Sequence, residues 1–210
     1  MTGIAGLHVV TDAELFPGRT HEDVARAAVE AGAPVVQMRD KNLPDGEFYR
    51  IASIVRGITR RAGVVFIVND RVDVALATGA DGVHVGQTDL PASAARRLIG
   101  NKRILGVSAA TIDEALAAAE DAADYVGLGP IYSTATKADA AAPTGLELLR
   151  EIRPRIALPI VAIGGIGPEN IAAVAAAGAD GAAVVSAVVC APDMTAAARH
   201  LIDLFSRGTG

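Results

Sequence analysis

One cysteine, no tryptophan and few aromatic residues set the first limits on this chain of 210 residues. A lone Cys190 cannot close an internal disulfide, and its neighbours Val188, Val189 and Ala191 predict a buried, inert thiol. An aromatic content of 3% leaves too few rings for base-stacking platforms or membrane-interface belts. Basic charge is short as well. Nineteen Lys and Arg against 24 Asp and Glu give a net charge of −5, with no general attraction to nucleic acid or anionic membranes. Residues 1–6 show no basic stretch leading into an apolar one, so no signal peptide is expected. The longest apolar stretch, 171–192, carries Gly178, Asp180 and Gly181 at its centre, which predicts helix, turn and strand in place of a membrane span. A soluble cytoplasmic protein is the expectation.

What is present is material for a core. Apolar residues make up 51% of the chain and charged residues 20%, which excludes intrinsic disorder and suits one compact domain over 1–210. Runs rich in Val and Ile at 7–12, 35–40, 65–70, 82–86, 103–108, 125–130, 159–165 and 181–186 read as strands. Most lack polar alternation, as expected of strands covered on both faces. Amphipathic stretches lie between them, with helix starts marked by Thr20-His-Glu-Asp, Pro91-Ala-Ser, Thr111-Ile-Asp-Glu and Gly167-Pro-Glu-Asn. Eight such units of roughly 26 residues predict an α/β fold, a single closed (β/α)8 TIM barrel, with an open doubly wound sheet as the structural rival.

A weak internal repeat favours the barrel. Ala31-Gly-Ala-Pro-Val-Val, Thr78-Gly-Ala-Asp-Gly-Val, Asp121-Ala-Ala-Asp-Tyr-Val and Ala177-Gly-Ala-Asp-Gly-Ala resemble one another. Each ends a helix and launches an even-numbered strand, a period natural where core layers alternate between odd and even strands. The one extended loop, 131–143, is small and polar, and is a candidate mobile lid over the active site.

Polar residues gather at the C-terminal ends of the predicted strands, the face that carries the active site of (β/α)8 enzymes. The turn Gly164-Gly-Ile-Gly and the strand end Val185-Ser186 suit a phosphate cradled by backbone N–H groups, although glycines also permit a plain tight turn. Gln37, Arg39 and Lys41 alternate along an extended segment, so all three can face one polyanion such as a diphosphate; the competing reading is an Arg39–Asp40 ion pair. Asp70 and Asp89 stand beyond neighbouring strands, where two carboxylates with phosphate oxygens and waters can hold Mg2+, or where each can cap a helix. His84, between Val83 and Val85, reads as a hydrogen-bonded residue of the barrel interior, while His8, His21 and His200 show no evident partners. No nucleophile–His arrangement is evident. The residues thus point to two anion sites, one with Mg2+, and to group transfer with departure of diphosphate.

From about Leu7 to Val189 the chain resembles the thiamine-phosphate synthase family. The resemblance is carried in order by Gln37-Met-Arg-Asp-Lys, Ile67-Val-Asn-Asp-Arg-Val-Asp-Val-Ala, Gly82-Val-His-Val-Gly-Gln-Thr-Asp, Gly106-Val-Ser, Gly127-Leu-Gly-Pro-Ile-Tyr-Ser-Thr-Ala-Thr-Lys, Ile163-Gly-Gly-Ile and Val185-Ser. The family joins 4-amino-2-methyl-5-(diphosphooxymethyl)pyrimidine to a hydroxyethylthiazole phosphate, or its carboxylated form, giving thiamine phosphate and diphosphate. The resemblance implies that Gln37, Met38, Arg39, Asp40, Lys41 and Asn69 contact the pyrimidine diphosphate, that Ser108 meets the pyrimidine and that Lys137 reaches the diphosphate. It implies Mg2+ on Asp70 and Asp89, and thiazole phosphate on Thr134, Ala135, Thr136, Gly165, Val185 and Ser186. Ser108, Lys137 and Arg39 become the expected catalytic residues of a dissociative reaction that needs no protein nucleophile. The implied partners are small-molecule substrates, with neither nucleic acid nor membrane, and a homo-oligomer is compatible with the sequence.

Ser133 and Ala110 depart from the Pro and His that many relatives carry at those places. A thiazole tautomerase on the same barrel is the nearest alternative; its members resemble Gly-His where this chain has Gly129-Pro130, without the proton-transfer imidazole. A non-catalytic binder of thiamine precursors is the other, and it would not need Arg39, Lys41, Asp70, Asp89 and Lys137 together.

Overall fold

Short runs of Val, Ile and Ala flanked by amphipathic segments hide both faces of a strand either in an open sheet with helices on both sides or in a closed barrel with helices outside. The computed structural model, which describes residues 3–134 and 142–209, has the closed arrangement. In chain order it runs β1 (Gly6–Thr11), α1 (His21–Ala31), β2 (Val35–Met38), α2 (Asp45–Ala62), β3 (Val65–Asn69), α3 (Val72–Thr78), β4 (Gly82–Val85), α4 (Ala92–Ile99) and β5 (Ile104–Ala109). It continues with α5 (Ile112–Glu120), β6 (Tyr125–Leu128), α6 (Gly145–Ile152), a 3-10 turn (Arg153–Arg155), β7 (Ile160–Ile163), α7 (Ile171–Ala176), β8 (Gly181–Val184), α8 (Ser186–Val189) and α9 (Met194–Gly208). All neighbouring strands pair in parallel and β1 pairs with β8, closing the barrel and removing the open-sheet rival.

The predicted strands are found in place; all but β5, which runs on to Ala109, end earlier, because the polar residues at their C-terminal ends leave the ladder for the loops. Three other expectations change. Gly167 opens a turn closed by Asn170, so α7 begins only at Ile171. After β8 the chain makes one helical turn, α8, before the long α9, so the described residues hold nine helices where eight were expected. Cys190 is exposed, not buried: Val188 and Val189 take the core-facing side of α8 and the C-cap position turns the thiol outward.

The repeat has a structural meaning at the N-terminal face. Asp81, Asp124 and Asp180 each accept a backbone N–H at the start of the preceding strand, from its second residue Phe66 or Leu105 or its first residue Ile160, at 2.8 Å. Each also takes an arginine from an outer element: Arg56 at 2.6 Å, Arg96 at 2.6 Å and Arg153 at 2.5 Å. The return bonds run from the backbone N–H groups of the three aspartates to the carbonyls of Phe66, Leu105 and Ile160. The strand pairs β3–β4, β5–β6 and β7–β8 are therefore stitched identically. In the remaining copy the aspartate position is Pro34, which has neither carboxylate nor N–H.

Most of the core lies between strands and helices, while a smaller interior cluster of Ile4, Val10, Tyr125, Val161 and Ala183 fills the barrel. With strand faces alternating every second residue, the inward rows end at the C-terminal rim in Gln37 and Arg39 on the β2 side, Asn69 on β3, His84 on β4 and Ser108 on β5.

Candidate active site

These inward rows open into a cavity of about 380 Å³ at the C-terminal face. Gln37, Arg39 and Lys41 all line it, as their two-residue spacing requires. Met38 and Asp40, on the opposite side of the same segment, do not. Met38 is fully buried in the core between strands and helices. Asp40 accepts from the Asn42 and Leu43 backbone N–H groups at 2.8 Å and pairs with His21 Nε2 at 3.1 Å. Burial alone would raise the Asp40 carboxyl, but these two amides and His21 outweigh it and hold it below its ordinary range. His21 Nδ1 in turn meets Thr11 Oγ1 at 2.7 Å, so Thr11, His21 and Asp40 fix the loop from which Arg39 and Lys41 project. Asp40 pairs with His21 in place of the competing Arg39–Asp40 ion pair, and His21 has partners that its sequence neighbours did not reveal.

Lys41 Nζ forms an ion pair with Asp70 and lies 3.9 Å from Asp89 Oδ1. Neither aspartate caps a helix: the N-caps of α3 and α4 are Arg71 and Pro91, without side-chain cap bonds. Asp70 sits at φ 62°, a left-handed conformation that Asp tolerates better than most residues, and its N–H donates to the His84 carbonyl at 2.7 Å. Burial, and then the neighbouring Asp89 carboxyl, push the Asp70 carboxyl above its ordinary range, against the opposing pull of Lys41. Asp89 Oδ2 also accepts from the Gly86 N–H at 2.8 Å, fixing its carboxylate at the cavity edge. Two adjoining carboxylates with the Lys41 ammonium beside them present oxygen donors at the cavity edge. Among the described residues no group of three or more His, Cys, Asp or Glu could hold a metal alone. That donor set suits Mg2+, which takes one or two carboxylates and completes its shell with substrate oxygens and water.

Across the cavity, Gly164 and Gly165 adopt φ of 101° and 61° at the end of β7. A Cβ on Gly165 would meet the Ser133 carbonyl oxygen at 2.4 Å, and one on Gly164 would meet Pro130 Cβ at 2.5 Å. The glycines thus let the β6 loop lie against the β7 turn. Asn170 Nδ2 donates to the Gly165 carbonyl at 2.9 Å and holds the turn. Val185 and Ser186, at the start of α8, line the same side, as does Thr134. The first N–H groups of a helical turn have no intrahelical acceptor and face an incoming anion. Ala135, Thr136 and Lys137, and with them most of the expected lid 131–143, lie outside the described residues.

Asn69 and Ser108 complete the lining. Other polar residues line it too: His84, hydrogen-bonded in the barrel interior as the sequence suggests, and Gln87, Glu114 and Tyr125, to which the sequence assigned no role. Gln87 Nε2 donates to the Ser108 carbonyl at 2.6 Å and Glu114 accepts from the Ala110 N–H at 2.6 Å, each bracing the loop after β5. The Thr111-to-Glu114 capping pattern was a usable signal for Glu114, whereas Tyr125 could be placed only once the strand register was known.

A family profile described as thiamine monophosphate synthase matches residues 7–188. The chain is 60% identical over 200 residues to a thiamine-phosphate synthase of Chloroflexus aurantiacus, covering 95% of this chain and 92% of the relative. It is 52% identical over 204 residues to a thiamine-phosphate synthase of Moorella thermoacetica, covering 97% of each. A solved thiamine phosphate pyrophosphorylase from Pyrococcus furiosus superposes with a TM-score of 0.90 at 41% identity over 98% of both chains. With sequence and overall fold in agreement over nearly the full length, the chain belongs to the thiamine monophosphate synthase family and is a transferase.

Proposed function

We propose that the cavity transfers the aminopyrimidinylmethyl group from its diphosphate to a thiazole phosphate, with Mg2+, releasing diphosphate and thiamine phosphate. The observation that carries this is that one cavity is lined on two sides by clusters suited to anions. Gln37, Arg39, Lys41, Asp70 and Asp89 stand on one side, and the Gly164–Gly165 turn with Val185 and Ser186 on the other. Arg39 and Lys41 offer a fork and a point charge to a diphosphate. The Gly-rich turn and the start of α8 offer backbone N–H groups to a phosphate monoester. Lys137 takes the diphosphate in the same assignment.

The reaction is dissociative. The C–O bond to the diphosphate breaks with its electron pair leaving on oxygen, the aminopyrimidine carries the methylene cation, and the thiazole nitrogen supplies the pair that forms the new C–N bond. The protein's part is to stabilise the departing charge with Arg39, Lys41 and Lys137, to keep the nitrogen facing the methylene carbon, and to hold water away. Asp70 and Asp89 would hold Mg2+, which when bound supplies further positive charge to the leaving diphosphate.

The purified protein mixed with both substrates and Mg2+ should yield thiamine phosphate and diphosphate in equal amounts. No condensation, with tautomerisation of the carboxythiazole phosphate instead, would replace the transfer reading with isomerisation. Binding of both precursors without either reaction would leave a non-catalytic binder.

A further inference from the structure

At the cavity floor two rings fill the barrel where neighbouring strands have given up their side chains. His84 Nε2 lies 2.8 Å from Ser108 Oγ, and His84 Nδ1 lies 2.9 Å from the Tyr125 hydroxyl. Both rings are buried, with exposures of 8% and 1%. Gly106 stands opposite both His84 and Tyr125 in the register, and Gly127 opposite Ser108. A Cβ on Gly106 would come within 2.2 Å of Tyr125 Cζ and 2.4 Å of His84 Nδ1, and one on Gly127 within 2.7 Å of His84 Cε1. In a close-packed interior, two inward glycines leave voids unless something is built to occupy them. Here they admit one hydrogen-bonded chain, Tyr125 to His84 to Ser108.

Hydrogen counting sets the direction of that chain. The Tyr125 hydroxyl has one hydrogen, and His84 Nδ1 is its hydrogen-bond partner among the described residues. Burial pushes the phenol above its ordinary range, so it stays a donor. A buried hydroxyl hydrogen without an acceptor is costly, so it goes to Nδ1. A neutral imidazole that accepts at Nδ1 carries its own hydrogen on Nε2 and donates it to Ser108 Oγ. The Ser108 hydrogen is then left for the cavity. With the opposite tautomer, Ser108 would give its hydrogen to His84 and offer a ligand only lone pairs.

We propose that Tyr125 and His84 are positioning residues that fix the imidazole hydrogen on Nε2 and thereby make Ser108 a hydrogen-bond donor to an acceptor atom of the pyrimidine diphosphate. The proposal rests on the assignment of Ser108 to that substrate. Gly106 and Gly127 belong to the same device, since a side chain at either would expel a ring. His84 and Tyr125 do not touch the substrate in this scheme, and their effect passes entirely through the serine.

The tautomer can be read without turnover. In protein labelled with 15N-histidine, the His84 resonances, assigned by their loss in His84→Gln, should show hydrogen on Nε2 alone. In Tyr125→Phe, which keeps the ring and loses the donor, the hydrogen should be shared between the two nitrogens. A hydrogen on Nδ1 alone, or on both nitrogens, in the wild type overturns the proposal, and this spectrum decides even where the variant does not fold. In steady-state kinetics Tyr125→Phe should lower kcat about tenfold, with the KM for thiazole phosphate unchanged, and should cost less than about twofold in a Ser108→Ala background. Equal losses in both backgrounds would make Tyr125 a packing residue and overturn the proposal. Absence of condensation by the wild type would instead defeat the transfer reading, leaving the spectrum to judge the relay by itself.

Discussion

Asp70 and Asp89 show how much a single side chain means once its neighbours are known. From spacing alone each could be a helix cap or a metal ligand, and the structure removes the caps: neither carboxylate touches the start of its helix, and both converge on Lys41. If the pair holds Mg2+, Asp70→Asn and Asp89→Asn should each lower turnover by roughly 100-fold or more and flatten the response to Mg2+. A Mg2+ titration of the steady-state rate checks this; an unchanged response in both variants would leave the diphosphate to the cationic side chains. Gln37, Arg39 and Lys41 were legible because a strand alternates its faces, and the same alternation removes Met38 and Asp40 from the cavity. Asp40's tie to His21, nineteen residues earlier, was not legible, because it depends on how two loops meet after the barrel closes. Cys190 was misjudged because apolar neighbours on a one-turn helix say little about which way its last residue points.

At the scale of elements, the repeat that marked the even strands proves to be a set of backbone clamps. Asp124 satisfies the Leu105 amide and the Arg96 guanidinium together, on residues far from the cavity. Asp124→Ala leaves that amide without its acceptor and should destabilise the barrel by about 1–3 kcal/mol. That corresponds to a fall in Tm of roughly 2–12 °C for a domain of this size. Asp124→Asn keeps an acceptor oxygen and should lose less; equal losses in thermal melts would show that the amide bond is not what the clamp supplies. The strands and their order could be read from apolar runs and from this repeat, because both follow from burial on two faces. Strand ends, the late start of α7 and the extra turn of α8 could not, because tertiary hydrogen bonds from Asn170 and the rim loops decide them.

At the scale of the molecule, the aspartate clamps sit at one face of the barrel and the proposed substrate site at the other. A phosphate-bearing thiazole bound to the folded state alone, at one hundred times its Kd, should add about 2.7 kcal/mol, or roughly 5–11 °C in Tm. The increment should be the same in Asp124→Ala as in the wild type, since distant sites add. Thermal melts with and without the ligand measure both. The ring is not fastened evenly, however. Three strand pairs are stitched at the base, while the pair β1–β2, with Pro34 in place of the aspartate, is tied at the rim through Thr11, His21 and Asp40. Asp40 is held below its ordinary range when folded, so its contribution is complete above the unfolded value of about 3.9 and is lost as pH falls through the folded one. The stability gap between wild type and Asp40→Ala should therefore be present at pH 7 and shrink below about pH 4, and denaturant melts at the two pH values check it; a constant gap would mean the carboxylate's charge plays no part. The two halves of the substrate site then differ in acid tolerance. The sector bearing Gln37, Arg39 and Lys41 should loosen first, while the Gly164–Gly165 turn is held by Asn170, whose amide does not titrate, so under the proposed function a chain that no longer grips a diphosphate in acid should still hold a phosphate monoester.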